Sequence, residues 1–367
     1  MKPHLYFTVT NDLTYDQRMH RICHSLANNG YEVTLVGRCL KYSLPLRKTA
    51  FNQKRLRCFF NKGFLFYAEY NVRLLFFLLS RRMNGICAID LDTILPCLLV
   101  SKIKGIPRIY DAHEYFTELK EVITRPKVYR IWKAIESFCV PKFKYGYTVS
   151  PGITSLFHEK YNRQYTTIRN LPINKDIQYQ PAPHKYLFFG GVVNEARGFE
   201  VLIPAMKKIP YPLVIAGDGN FMAQLESLIH SHKLEDKIIL KGMVKPEELR
   251  TLAEQATLGI GLAEKEGMNQ FLALPNKFFD YLHAGLPQIT MNYPEYIKLN
   301  SIYKVGVLIS DLNEDIVAKT ILATMEDESL LNEMRLNCMK AKKELNWEQE
   351  SLILIDFYNR IFKPSIS

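Results

Sequence analysis

Leu274-Pro275-Asn276-Lys277-Phe278-Phe279-Asp280-Tyr281-Leu282-His283-Ala284-Gly285-Leu286-Pro287 reads as a short helix with both ends marked. Pro275 suits the first helical position, where a missing N–H costs nothing. Gly285 suits the left-handed residue just past the end, and Pro287 blocks continuation. Phe278 and Leu282 share a face to be buried, while Asn276, Lys277 and Asp280 gather on the opposite side near the N-terminus. Open backbone N–H groups, a lysine and the positive end of the helix dipole together make an anion site, the chemistry a diphosphate requires. Asp280, one turn in, can accept hydrogen bonds from ribose hydroxyls. A surface Lys277–Asp280 ion pair, worth about 0.3–0.5 kcal/mol, would account for the same residues.

Outward from this stretch, strand-like and helix-like segments alternate along the chain, the pattern of an α/β fold with parallel sheets. Leu5–Val9 reads as a first strand, followed by a loop to Asp16, a helix N-cap, and a helix ending at Asn29-Gly30. Val33–Gly37 is the next strand. This is a Rossmann-like opening without G-x-G-x-x-G, so a nicotinamide cofactor is not indicated. Residues 38–62 read as basic and irregular, and Phe64–Leu79 as a helix whose aromatics are expected in the core. Strands at Ile86–Ile89 and Arg108–Tyr110 lead into Asp90-Leu91-Asp92 and Asp111-Ala112-His113-Glu114. Polar residues just past a strand's carboxyl end sit where open α/β sheets bind ligands, which singles out His113. Tyr145–Val149 and Ile168–Pro172 complete a first domain, 1–172, and the polar stretch 173–184 reads as a linker.

A second alternating series, 185–346, then begins. Tyr186–Phe189 is followed by Gly190-Gly191-Val192-Val193-Asn194-Glu195-Ala196-Arg197-Gly198, where glycines admit a ligand to the backbone and Arg197 can reach a phosphate. Leu213–Ala216 runs into the turn Gly217-Asp218-Gly219. Strands at Ile238–Leu240, Leu258–Ile260 and Gln288–Met291, two helices in 312–345 and a last helix, Trp347–Phe362, follow.

Composition narrows the function classes. The chain has 367 residues, 47% hydrophobic and 23% charged, which is ordinary for a folded protein of two domains. Seven scattered cysteines without a C-x-x-C pair indicate neither a disulfide framework nor zinc, and point to a reducing cytosol. The N-terminus does not read as a signal peptide, and charges interrupt the most apolar stretch, arguing against a membrane span. Residues 1–176 carry 28 Lys and Arg against 13 Asp and Glu, whereas 177–367 carry 20 against 24. A basic first half next to a nearly neutral second is matched to an anionic partner. No nucleic-acid motif accompanies it; an anionic membrane surface, met peripherally on its inner face, is one expected partner, and a plain solvated basic face is the other reading.

The opening at Asp12–Gly37, YDAHE at 110–114, TVSPGI at 148–153, GGVVNEARG at 190–198, IAGDG at 215–219 and LPNKFFDYLHAGLP at 274–287 occur in the order found in one family. The chain resembles the GT-B glycosyltransferases of the large family 4, which are retaining and use nucleotide sugars. The resemblance implies two Rossmann-like domains facing a central cleft, with the last helix, 347–367, crossing back to the first. It implies donor contacts at Gly191, Asn194, Arg197, Gly217, Gly219, Asn276, Lys277 and Asp280, with Arg197 and Lys277 on the diphosphate. It places Asn11, Asp12, Arg18, Asp111 and Glu114 on the acceptor side, with His113 facing the transferred sugar. No metal and no cofactor beyond the nucleotide sugar are implied, and the acceptor is a saccharide or a lipid-linked saccharide.

Two positions depart from the family pattern. Val192 stands where an arginine is common, and Leu272 where the first of two glutamates is usual, with Asp280 as the second acid. Glu264 and Glu266, just upstream, are candidates to substitute for the missing acid. The departures keep two other readings open: a GT-B nucleotide-sugar epimerase and a non-catalytic nucleotide-sugar-binding scaffold.

Overall fold

The computed structural model describes residues 2–14, 16–177 and 184–363. The chain divides into two compact units, residues 1–170 with 349–367, and residues 171–348. Of the linker expected at 173–184, residues 178–183 lie outside the described residues.

Among the described residues, the first unit contains seven parallel strands: β1 (His4–Thr8), β2 (Glu32–Cys39), β3 (Asn52–Arg57), β4 (Gly85–Ile89), β5 (Arg108–Ala112), β6 (Tyr145–Thr148) and β7 (Thr166–Thr167). Their order across the sheet is β3-β2-β1-β4-β5-β6-β7. The chain order reverses between β1 and β4, so the loops after these two strands flank the crevice where such sheets bind ligands. Central strands are apolar on both faces because helices cover both sides; Leu5, Phe7, Val33, Leu35, Ile86 and Ile109 are all buried.

Two expectations fail here. The stretch 38–62 is not wholly irregular, since its residues 52–57 form the edge strand β3. Its basic, half-exposed pattern hides a strand whose one free edge needs no apolar run. Ile168–Pro172 is not a strand; pairing is confined to Thr166 and Thr167, with Ile168 N donating once more to Thr148 O at 2.8 Å.

The helix Trp347–Phe362 lies largely in the first unit. Tyr358 packs against Phe7 at 5.9 Å, Tyr31 Oη donates to Asn359 Oδ1 at 2.8 Å, and Phe362 fills the space beside Gly85. Buried Glu350 accepts from Arg169, whose Nη2 lies 2.9 Å from Oε2.

The second unit contains, among the described residues, β8 (Leu187–Gly190), β9 (Leu213–Ala216), β10 (Ile238–Gly242), β11 (Leu258–Gly261), β12 (Gln288–Met291) and β13 (Gly306–Ile309), all parallel, in the order β10-β9-β8-β11-β12-β13. β13 was not legible in the sequence, where Gly306-Val307-Leu308-Ile309 is a short apolar run. The core is formed by Leu187, Phe189, Leu213, Ile215, Leu258 and Ile289 of the sheet with Phe199, Phe278, Leu282 and Ile321 of the helices.

Candidate nucleotide-sugar and acceptor sites

In the second unit, the loops after β8 and β9 are built as one piece. Gly191 N donates to Ala216 O and Val193 N to Asp218 O, both at 3.0 Å, and Phe221 N returns to Val193 O at 3.0 Å. Gly217, at φ +153°, lies so close to Gly191 that a Cβ would overlap the Gly191 carbonyl; only glycine fits. Asn194, expected on the donor, uses Oδ1 to accept from Asn220 N at 3.1 Å. The loop after β11 joins them through Glu264 N to Ala196 O at 3.1 Å. Glu264 is partly exposed, and Glu266 and Val192 are exposed.

The helix Asn276–His283 packs beside these loops, with Tyr281 against Gly190 and Lys277 over Phe189. Pro275 is its N-cap rather than its first residue, because at ψ 153° the chain is still extended there. The far end is as expected: Gly285 takes φ +66°, and Leu286 N to Tyr281 O at 2.9 Å with Gly285 N to Leu282 O at 3.1 Å close a Schellman motif. Tyr281 fixes the helix to the sheet, since its hydroxyl accepts from Gly190 N at 2.9 Å and its ring packs over Gly259. Phe278, Phe279 and Leu282 are buried; Asn276 and Asp280 are exposed.

Lys277 does not form the surface pair that the spacing allowed. Its ammonium is buried 3.8 Å from the centre of the Phe189 ring and has no hydrogen-bond partner among the described residues. Burial first, and then the charge of Arg197, hold it well below the usual lysine range. Arg197 Nε is buried without a partner as well. Two cations that repel one another are thus held together beside a helix N-terminus.

The first unit carries a different constellation. Arg18 is buried and donates through Nη2 to Asp111 Oδ1 at 3.1 Å, and its Nη1 and Nη2 to Ile168 O at 3.2 and 3.3 Å. The other oxygen of Asp111, itself fully buried, lies 3.1 Å from His113 Nε2. Burial alone would raise Asp111, but Arg18 and then His113 outweigh it and keep the carboxyl below its ordinary value. Burial alone would depress His113, but Asp111 reverses this, and the imidazole titrates above its usual value.

Asn11 and Asp12, expected on the acceptor side, fold their own loop. Asn11 Oδ1 accepts from Leu13 N at 3.0 Å, and Asp12 Oδ1 from Thr14 N at 2.9 Å. Glu114 is exposed beside His113.

The sequence placed Asp90 and Asp92 past a strand but assigned them no role. Asp90 Oδ1 accepts from His113 N at 2.9 Å, and its Oδ2 lies 3.9 Å from His113 Nδ1, so carboxylates flank the ring on both sides. Asp90 sits at φ +54°, ψ −176°, a conformation that costs a non-glycine residue about 1–3 kcal/mol. Burial pushes its carboxyl well above the ordinary range, and lifts that of Asp92 to about 6. Asp92 Oδ2 accepts from Thr10 Oγ1 at 2.5 Å, closing the crevice between the β1 and β4 loops. The signal was available: both acids directly follow a strand, as His113 does.

Each unit is therefore a Rossmann-like α/β domain with polar residues past the carboxyl ends of a parallel sheet, where such folds bind ligands. Residues 173–344 match the family Glycosyl transferases group 1. An uncharacterized glycosyltransferase of Methanocaldococcus jannaschii is 23% identical over 221 residues, 56% of this chain and 59% of that protein. The match thus spans less than two thirds of that relative's length. Sucrose-phosphate synthase from Thermosynechococcus elongatus superimposes with a TM-score of 0.82 at 15% identity, covering 99% of this chain and all of that one. The Anabaena protein HepE, solved in complex with UDP-glucose, gives a TM-score of 0.75 at 11% identity over 98% of this chain and all of that one. The fold is GT-B, and residues 173–344, nearly all of the second unit, are the part that matches the group 1 family.

Proposed function

We propose that the protein is a retaining glycosyltransferase that moves a sugar from a nucleoside-diphosphate sugar to a saccharide or lipid-linked acceptor, in the synthesis of a surface polysaccharide or lipopolysaccharide. One observation carries the donor half. Lys277 and Arg197 bring buried positive charge together without a hydrogen-bonded counter-ion on those atoms, next to a helix N-terminus and a glycine-built double loop. Burying like charges is costly unless something anionic completes the site, and a diphosphate has the charge and the size. As the diphosphate leaves the anomeric carbon, negative charge grows on its oxygens, and donors already fixed there stabilise that state without reorganising. Lys277 and Arg197 then do what a metal ion does in other transferases. Asp280 accepts from the ribose, and the HepE complex supports a nucleotide sugar as the ligand class. In the first unit, His113 is held as a hydrogen-bond donor by Asp111, suited to the transferred sugar or the acceptor.

The test is a thermal-shift screen of UDP, GDP, ADP and their sugars on the full chain, because a ligand of the native state raises the melting temperature. A shift with one base, lost in Arg197→Ala and Lys277→Ala, is expected. No shift with any of them would overturn the donor assignment. Incubation of the bound nucleotide sugar without acceptor should leave it unchanged; an isomerised donor would favour an epimerase.

A further inference from the structure

The helix Gly63–Leu79 is apolar on both sides, and only one side is covered. Phe66, Tyr70, Leu74 and Leu78, at four-residue intervals, are buried against the first unit. The opposite row contains Phe64, Ala68, Val72 and Phe76, again at four-residue intervals, with Leu65 beside it. All five are exposed, Phe64 to 70% and Phe76 to 67%. This corrects the expectation that the helix's aromatics fill the core: of six, Phe66 and Tyr70 are buried, Tyr67 and Phe77 are half-buried, and Phe64 and Phe76 are exposed. A helix with two apolar faces normally has both buried, and an uncovered row running about 18 Å along a helix marks a docking surface.

The adjoining loop is built onto the same surface. Glu69 accepts from Phe59 N and Phe60 N at 2.9 Å through Oε2, and from Arg73 Nε at 2.7 Å through Oε1. The loop is thereby pinned beside the helix with Phe59 84% and Phe60 47% exposed. Glu69 is also the sole acid between residues 38 and 82, against eleven Lys and Arg, and these bonds occupy it. Exposed Lys62 and Arg73, with Arg81 and Arg82 just past the helix, frame the apolar row. Lys54 and Arg57 belong to edge strand β3, where cations also protect against pairing, and Arg55 braces the loop at Asp12 and Thr14. The surface is thus defined by Lys62, Arg73, Arg81 and Arg82 around Phe59, Phe60, Phe64, Val72 and Phe76.

We infer that this face docks on an anionic lipid membrane, with the aromatic row entering the headgroup boundary and the four cations lying on the phosphates. Aromatic and branched side chains on one side of a surface helix, ringed by Lys and Arg, are the composition that such interfaces select. Among the described residues no helix is long and apolar enough to cross a membrane, so the contact is along the surface. The inference stands apart from the donor site, which lies in the other unit.

Cosedimentation of the full chain with vesicles of phosphatidylglycerol and phosphatidylcholine, against phosphatidylcholine alone, tests it. Binding to the anionic vesicles only, weakened by salt, is expected. Each cation near the surface is worth about fivefold in affinity, so Lys62→Gln, Arg81→Gln and Arg82→Gln together should cost on the order of a hundredfold. Phe64→Ser with Phe76→Ser should also abolish sedimentation without lowering the melting temperature, because both side chains are exposed. A Phe76→Trp variant supplies an independent reading: brominated acyl chains should quench fluorescence added by the new indole. Equal recovery in the supernatant with both vesicle types, or no quenching, would overturn the inference. So would a vesicle-independent dimer that the Phe→Ser pair dissolves, which would assign the face to a second copy of the chain.

Discussion

Arg18 in the first unit and Lys277 in the second are both cations taken out of water near the polar end of a parallel sheet, and the chain treats them in opposite ways. Arg18 spends its charge within the protein, on Asp111 and the Ile168 carbonyl, and Asp111 passes the same pairing on to His113. Among the described residues Lys277 Nζ has no such partner, and it faces the repulsion of Arg197. A paired buried charge offsets much of its desolvation cost within the protein; an unpaired one does not. The first arrangement orients His113 before anything binds. The second holds an unfavourable interaction that the proposed diphosphate would relieve.

Breaking the paired side should give the largest effect. Asp111→Ala leaves Arg18 buried without its carboxylate and should lower the stability of the first unit by about 3–5 kcal/mol, read from the urea midpoint. A variant as stable as the parent would mean that the pair is not what holds this network. Lys277→Ala should act in the opposite sense on the ligand-free protein, leaving its melting temperature unchanged or raised because an unpaired buried charge is gone. The same variant should lose about 3 kcal/mol of transition-state stabilisation, roughly a hundredfold in turnover. Normal turnover together with lowered stability would reverse the comparison. His113→Ala should cut turnover by about a hundredfold while the affinity for free nucleoside diphosphate, measured by calorimetry, stays the same. A large loss of nucleotide affinity would show that the histidine is misassigned. Asp280→Asn is expected to weaken donor binding by about 1 kcal/mol and to affect turnover at saturation little, since a ribose contact is made in ground and transition states alike.

The smallest effect concerns pH. His113 binds its proton more tightly folded than unfolded, so its contribution to stability is complete below the unfolded value of about 6.5 and is lost as pH rises through the higher folded value. Asp111, held low, contributes above the ordinary carboxylate range and is lost as pH falls through its depressed value. Urea titrations from pH 6 to 9 should show a decline in the parent that His113→Asn flattens. An identical decline in both would assign the proton elsewhere.

The sequence by itself determined the class of the fold. Alternating apolar runs and amphipathic helices leave few topologies other than paired parallel sheets, and Gly30, Gly285 and Trp347–Phe362 marked element ends that the chain honours, because left-handed backbone and helical periodicity are local properties. It also placed His113, Arg197 and Lys277 just past strands or at a helix start, since the carboxyl ends of the strands follow from strand order alone.

Tertiary structure decided what each of these side chains faces. The spacing of Lys277 and Asp280 was equally compatible with a surface pair. Only the packing of the helix against β8, through Tyr281 and Gly190, puts the ammonium over Phe189 and next to Arg197. Asn194, Asn11 and Asp12 were expected at the ligand sites; Asn194 also accepts from the amide of a neighbouring loop, and Asn11 and Asp12 from amides of their own loop, since a short polar side chain serves either purpose. The helix Gly63–Leu79 was equally ambiguous. A helix apolar all round has no hydrophobic direction in its sequence, so which row is buried depends on where the sheet lies, and the sheet is assembled from residues distant in the chain.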